Sequence, residues 1–385
     1  MAAWTWAQTV SGTGDIITTR WARLRGTNTY SGTTTVLDGN LLIDSPKALG
    51  TVDQPTIVNP WAVLEVAGGL TVAEPLIMAG YLLNYGTWSG PIETISDNVT
   101  LGGIIEGTVS GTGSVRVSMH ARFVANNTYT GNTLIDGGTL VIDGDQPQSD
   151  CVNLNISSSS WYYGNKLLGT GRMGNLTAMG GTVSPGSDVS SDPNYISSFS
   201  TASLDLRNAV ILLIEYEQTA TGVIYDQVRV SGSVVLDEPT LDFITYNASM
   251  PAVGQSFTII DNDGTDPVQG TFAGWPQGAH RILTNGIFQI HYNGGDGNDV
   301  VISRVNNVLP PPTILALDTN PLGAKRLTVR GQPDIFYILE GTSDLNPAVQ
   351  WLPLSTGQAG PDGIFSLYDY PPLTNSMRFY RVRSF

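Results

Sequence analysis

The sequence predicts an all-β chain: a β-solenoid followed by a small β-sandwich. Three observations carry that prediction. The first is a motif written twice, 99 positions apart. It reads N-T-Y-S-G-T-T-T-V-L-D-G-N-L-L-I-D from Asn28 to Asp44 and N-T-Y-T-G-N-T-L-I-D-G-G-T-L-V-I-D from Asn127 to Asp143, identical at nine of 17 ungapped positions. Repeats of short strands and Gly turns are the mark of a solenoid, in which no coil buries its apolar face without its neighbours. The second is composition. Charged residues are only 13% of the chain, while Gly alone supplies 44 of its 385 residues; a globular protein usually has roughly 25% charged residues. The third is the lack of any sustained helical period: apolar runs are strand-sized, the longest being Ala209 to Ile214.

Within the second copy, Leu134 and Ile135 fall in one short strand, Gly137-Gly138 turn the chain, and Leu140 to Ile142 form the next strand. The same rhythm runs through Leu64 to Val72, Val99 to Ile105, Val109 to Val117, Leu168 to Gly171 and Gly180 to Gly186. Inward residues of successive coils are expected to stack. At roughly 20–30 residues per coil and about 4.8 Å per coil, residues 1–305 make roughly 10–14 coils and a rod of roughly 50–70 Å, with irregular coils over 190–305. Trp4 and Trp6, two apart, fit one side of an N-terminal strand that caps the solenoid or meets a second subunit. With Trp21 they are the candidate assembly or glycan contacts.

Composition also narrows function. A net charge of −15 argues against nucleic acid and against docking on anionic lipid. Spread along a rod, it keeps molecules soluble and apart. Cys151 is the only cysteine, so no disulfide forms within the chain, and it is expected as a small buried residue. No segment reaches the roughly 18 apolar residues of a membrane helix. Met1-Ala2-Ala3 runs straight into Trp4-Thr5-Trp6 without a leader-like segment: either the chain is not exported by such a leader, or it is a processed form carrying an added Met, which is what the resemblance below implies.

The N-T-Y-[ST]-G block, followed by G-x-L-x-I and preceded by a G-T-G turn, resembles the autotransporter-associated β-strand repeat. Gly180 to Gly186 (G-G-T-V-S-P-G) resembles the segment after such repeats. Tyr225 to Val228 with Val230-Ser231-Gly232 resembles the family's next block, and Gly254 to Ile260, Gly270-Thr271-Phe272 and Gly294 to Val301 resemble its C-terminal part. The resemblance covers about residues 1–305. It implies a right-handed parallel β-helix, secreted or surface-displayed by a bacterium, and a structural passenger rather than an enzyme. Members of the family end in a membrane barrel. Here a Pro-rich linker over 306–312 is followed by only 73 residues, too few for a barrel of about eight strands of about ten residues. Residues 313–385 alternate at Arg326 to Arg330, Phe336 to Glu340 and Arg378 to Arg383. They resemble small β-sandwich modules at the ends of exported bacterial proteins, and their short strands fit a fibronectin-like sandwich.

Candidate chemistry is sparse. Gly294 to Ile302 fits the calcium nonapeptide G-G-x-G-x-D-x-U-x, with Asp296, Asn298 and Asp299 as calcium candidates. That roll needs consecutive copies, and a single copy reads as a tight hairpin turn rather than a calcium site. Asp261 to Asp266 is oxygen-rich but lacks the Glu that closes an EF-hand loop. Asp38 and Asp136 lie near repeat turns. Asp44 and Asp143 end equivalent strands, where a turn-capping role is expected rather than a catalytic pair. His120, His280 and His291 lack metal-ligand spacing, no G-x-S-x-G elbow occurs, and no phosphate-cradling G-x-G-x-x-G opens a helix. The eight Trp are expected mainly as caps and core, with Tyr30 and Tyr129 at coil corners. The reading is a non-catalytic extracellular structural or adhesive protein without a cofactor, forming a homo-oligomer, filament or surface layer. A polysaccharide-binding module, and a polysaccharide lyase or hydrolase, are the alternatives.

Overall fold

The computed structural model of the protein describes residues 4–6, 9–153, 165–187, 195–246, 250–283, 286–305, 309–320, 323–333, 335–345, 349–370 and 378–384. None of these is in an α-helix. Up to Thr271 the described residues wind mainly into a parallel β-helix, whose sides belong to sheets of eighteen, ten and six strands; the eighteen-stranded sheet also takes in the antiparallel strands of residues 280–304, so the expected parallel helix does not run to 305. One coil shows the construction. Val63–Val66 lies in the largest sheet, Thr71–Val72 in the second and Leu76–Met78 in the third. The chain then returns to the largest sheet at Tyr81–Asn84, with Leu82 beside Leu64, 18 residues earlier.

Alternation decides which residues point inward. Leu64 and Val66 are buried while Val63 and Glu65 lie toward solvent, and this two-residue period recurs along the repeats. Parallel pairing then stacks like positions. Val72, Trp88, Ile105, Phe123 and Ile142 follow one another through five coils, all buried. Val36, Val58 and Met78 do the same in the third sheet. The inward stacking expected from the repeat is therefore present along the rod.

Coil length departs from the expected 20–30 residues. Val99 to Val115 is 16 residues, and Val115 to Thr133 and Thr133 to Cys151 are 18 each. Later coils lengthen to 25 from Cys151 to Leu176 and 28 from Leu176 to Leu204. Most turns of the early coils take one to four residues, often with Gly, the longer ones being 44–55, 124–132 and 143–150; the later coils carry strands as long as Ser198–Leu206 and Val210–Thr219.

The two motif copies are offset by one side of the solenoid, so corresponding strands lie in different sheets. Thr34–Val36 and Asn40–Ile43 lie in the third and largest sheets, whereas their counterparts Thr133–Ile135 and Thr139–Ile142 lie in the largest and second sheets. The motif specifies a corner with its two flanking strands, not a face. Its glycine has a steric cause. A Cβ on Gly32 would lie 2.3 Å from the Gly14 carbonyl oxygen, and one on Gly131 would lie 2.4 Å from Gly113. The G-T-G turn of one coil and the N-T-Y-[ST]-G turn of the next are thus pressed backbone on backbone.

The two ends differ. At the N-terminal end, Trp4–Trp6, Ser11–Gly12 and Ile16–Thr18 pair only toward the following coil, among the described residues. At the other end, His280–Leu283, Gly286–Gly294 and Asp299–Arg304 run antiparallel, and the last also lies antiparallel to Ser256–Asn262. Beyond it, Thr313–Thr319, Lys325–Arg330 and Ile364–Asp369 form one antiparallel sheet, and Leu352–Gln358, Phe336–Thr342 and Phe379–Ser384 form a second. They enclose a separate core of Leu327, Val329, Tyr337, Leu339, Ala359, Phe365 and Leu367. The His280 N–H donates to Gln332 Oε1 at 2.8 Å, joining this unit to the solenoid.

The glycine contact gives a direct test. Gly131→Ala should destabilise the protein by about 1–3 kcal/mol, because the added methyl meets rigid backbone. Gly68→Ala, whose methyl would have no neighbour nearer than 3.6 Å, should be nearly neutral. Equal denaturant midpoints for the two variants would refute the close-approach account.

Candidate functional site

The Asn and Tyr side chains shared by the two motif copies face inward. Asn28 is buried between three coils: Oδ1 accepts the Val10 N–H at 2.9 Å and Nδ2 donates to the Ala48 carbonyl at 2.6 Å. Asn127 repeats the arrangement, accepting from Val109 N–H at 2.8 Å and donating to Gln146 Oε1 at 3.4 Å. The hydroxyls of Tyr30 and Thr34 meet at 2.5 Å, and those of Tyr129 and Thr133 at 2.6 Å. Both tyrosines are buried at coil corners.

Asp44 and Asp143 are not turn caps. Asp44 pairs with Arg23 of the preceding coil at 2.6 Å, and Asp143 pairs with Arg122 at 2.6 Å. Asp136 pairs with Arg116, again one coil back. The expected turn role holds for Asp38, whose Oδ1 accepts the Gly39 N–H at 2.7 Å. A carboxylate at a strand end faces the outward residue of the coil before it, and an arginine there captures it.

The calcium candidates sit on the turn joining Gly286–Gly294 to Asp299–Arg304. Asp296 is exposed at the tip. Asn298 is buried and donates to the carbonyls of Gly264 and Asp266 at 2.9 and 3.2 Å. Asp299 Oδ1 accepts the Asn262 N–H at 2.9 Å, and burial raises its pKa above the usual carboxylate range. The side chains of Asn298 and Asp299 therefore clamp the tip onto the oxygen-rich loop after Asp261. Among the described residues, no three His, Cys, Asp or Glu side chains converge on one point.

Of the contact candidates, Trp21 is about half exposed. Trp4 pairs in register with Ala22 and Trp6 with Leu24, while the side chains of both lie outside the described residues. Trp161 is also outside them. Trp88 and Trp275 are core, Trp351 lies under the Arg381 guanidinium at 4.5 Å, and Trp61 is 73% exposed with φ of 69°. Cys151 is buried, as expected, and desolvation pushes its thiol up to about 12.

Two acidic features escape sequence reading. Asp226, inside the Tyr225 to Val228 block, is fully buried and accepts the N–H groups of Ser197 and Glu215 at 2.8 and 2.9 Å. Burial pushes its pKa to about 9. Beside it, the Tyr246 hydroxyl donates to Glu215 at 2.5 Å and the Tyr195 hydroxyl donates to Glu217, with the two rings edge to face at 5.3 Å. Glu74 is the second feature. It is buried at a coil corner, takes a 3.3 Å hydrogen bond from Thr56, and is pushed by desolvation to about 7. The only sequence signal is a Glu just before Pro75, within a repeat whose other polar residues can face out.

The passenger-associated-transport-repeat family matches residues 23–43 and 122–142, the strand-turn-strand units described above. The chain carries two passenger-type repeats. Among curated proteins, none matches the sequence. The matched segments hold Arg23 and Arg122, Asn28 and Asn127, Tyr30 and Tyr129, and Gly32 and Gly131.

Glu74 makes the pH dependence predictable. Its folded pKa is raised above the ordinary 4.5 to about 7, so folding takes up a proton between those values. Stability from this group is full below about pH 4.5 and falls as pH rises toward 7. Glu74→Gln should remove that slope and stabilise the protein at pH 8 by about 1–3 kcal/mol. Parallel stability curves for the variant and wild type across this range would show that Glu74 is not the titrating group.

Proposed function

We propose that this protein is a non-catalytic extracellular rod of a bacterial surface or matrix, structural or adhesive in role. The observation that carries the reading is what the repeated residues do. Asn28 and Asn127 bridge successive coils, Gly32 and Gly131 let coils touch, and Arg23–Asp44 and Arg122–Asp143 tie one coil to the next. The motif's chemistry is devoted to winding a stiff rod. Passenger-type repeats support placement outside the cell.

The ends support a route to self-association. Strands at the N-terminal end are paired on one side only, among the described residues, whereas antiparallel strands close the other end. An open edge invites pairing with another chain. Contact between two such edges is isologous and gives closed pairs, whereas filaments would need a further contact at the closed end.

Negative-stain electron microscopy of the purified chain at several concentrations tests this. Rods roughly 50–70 Å long, joining end to end as concentration rises, are expected. Single rods at every concentration would remove self-association from the role. Release of reducing or unsaturated sugar ends by the pure protein would overturn the non-catalytic reading.

A further inference from the structure

Arg23, Arg25, Arg116 and Arg122 of the early coils are held by aspartates. Two arginines farther along are not. Arg172, Ser200, Arg229 and Asp261 stand side by side on four neighbouring parallel strands, in register and on the same outer face. Both arginines are exposed, and neither has an ion-pair partner among the described residues; Arg229 Nε donates only to Gln227 Oε1, at 3.0 Å. Although Asp261 is beside Arg229 in register, the two form no ion pair.

The row lines a groove of about 290 Å³ with Thr201, Ser231 and Asp263. Strand pairing makes the hollow. Ser198–Leu206 is one continuous strand, but it pairs first with Gln227–Val230 and then with Val234–Asp237. Between them one extra residue bulges at Ser231-Gly232-Ser233, as the offset goes from Thr201↔Val230 to Leu204↔Val234; the chain stays against the strand, with the Ser231 N–H donating to the Thr201 carbonyl at 3.1 Å and a Cβ on Gly232 only 2.7 Å from the Ala202 carbonyl oxygen, and such a bulge bends the sheet. The outer face is therefore creased at this corner.

The geometry points to this groove as a binding site for a linear acidic polysaccharide whose sugars carry carboxylates. Each guanidinium can take a carboxylate in a bidentate, charge-assisted pair. Arg172 and Arg229 are two strand spacings apart, about 10 Å, comparable with the separation of alternate carboxylates on an extended uronic-acid chain. Ser200 lies between them, placed to hydrogen-bond a sugar hydroxyl. Asp261 and Asp263 accept from hydroxyls at the far end and repel a further carboxylate, which sets the register of the chain. The molecule's net charge of −15 opposes polyanions generally, so binding must come from this local pair. The site does not depend on self-association, and a chain that forms only single rods still presents it.

The test is affinity electrophoresis and calorimetry of the full chain with polygalacturonate, heparin and neutral dextran. Wild-type protein should bind polygalacturonate and not dextran. The double variant Arg172→Gln/Arg229→Gln should lose at least tenfold in affinity with an unchanged circular dichroism spectrum, since both side chains are exposed. Asp261→Asn should bind polygalacturonate at least as tightly as wild type. The assignment fails if wild type does not bind polygalacturonate or if the double variant binds it like wild type. Equal retention on dextran would also overturn it, and so would tighter binding of heparin, which would show the groove reading charge density rather than spaced carboxylates.

Discussion

Everything in the solenoid depends on parallel backbone pairing between successive coils. That pairing fixes the coil spacing near 4.8 Å, and other features follow from it. Inward side chains must stack on their counterparts, which is why Val72, Trp88, Ile105, Phe123 and Ile142 form one column. Where two turns approach within the same spacing, no side chain fits between them, and glycine is required, as at Gly32 above Gly14. Buried polar groups must find partners one coil away, as Asn28 does with Val10 and Ala48.

Electrostatics follow the same geometry. A chain with only 18 Lys and Arg against 33 acids cannot scatter ion pairs freely. The early outer-face pairs connect neighbouring coils at 20 or 21 residues' separation, each aspartate two residues past the residue in register with its arginine. Half-exposed pairs of this kind contribute little each, so their effect is to bias register rather than to supply stability. Farther along, coils lengthen and the pairing partners fall away, which leaves Arg172 and Arg229 facing solvent across a crease. The structural features of the rod thus arise from one lattice of cross-coil contacts.

Much of this was legible in the sequence. Alternation at Leu64 and Val66 identified inward positions, and the paired motif identified the solenoid, since each reflects a local period that the backbone must obey. Features set by the neighbouring coil were less legible. Asp44 reads as a turn cap until Arg23 is known to lie across from it. Glu74 reads as an ordinary surface acid, and only the fold places it beside Thr56 in the interior. The crease at Gly232 comes from one strand serving two partners, a relation between segments some thirty residues apart that no local pattern records.

The motif's change of side carries a consequence for how the rod meets its surroundings. Thr34–Val36 and Thr133–Ile135 correspond in sequence yet belong to different sheets. Sequence kinship here does not translate into a shared outward direction. A flat surface lying along the largest sheet would meet the second strand of one copy, Asn40–Ile43, and the first strand of the other, Thr133–Ile135. Recognition that needs the same outward residues of both copies is therefore monovalent from a single approach.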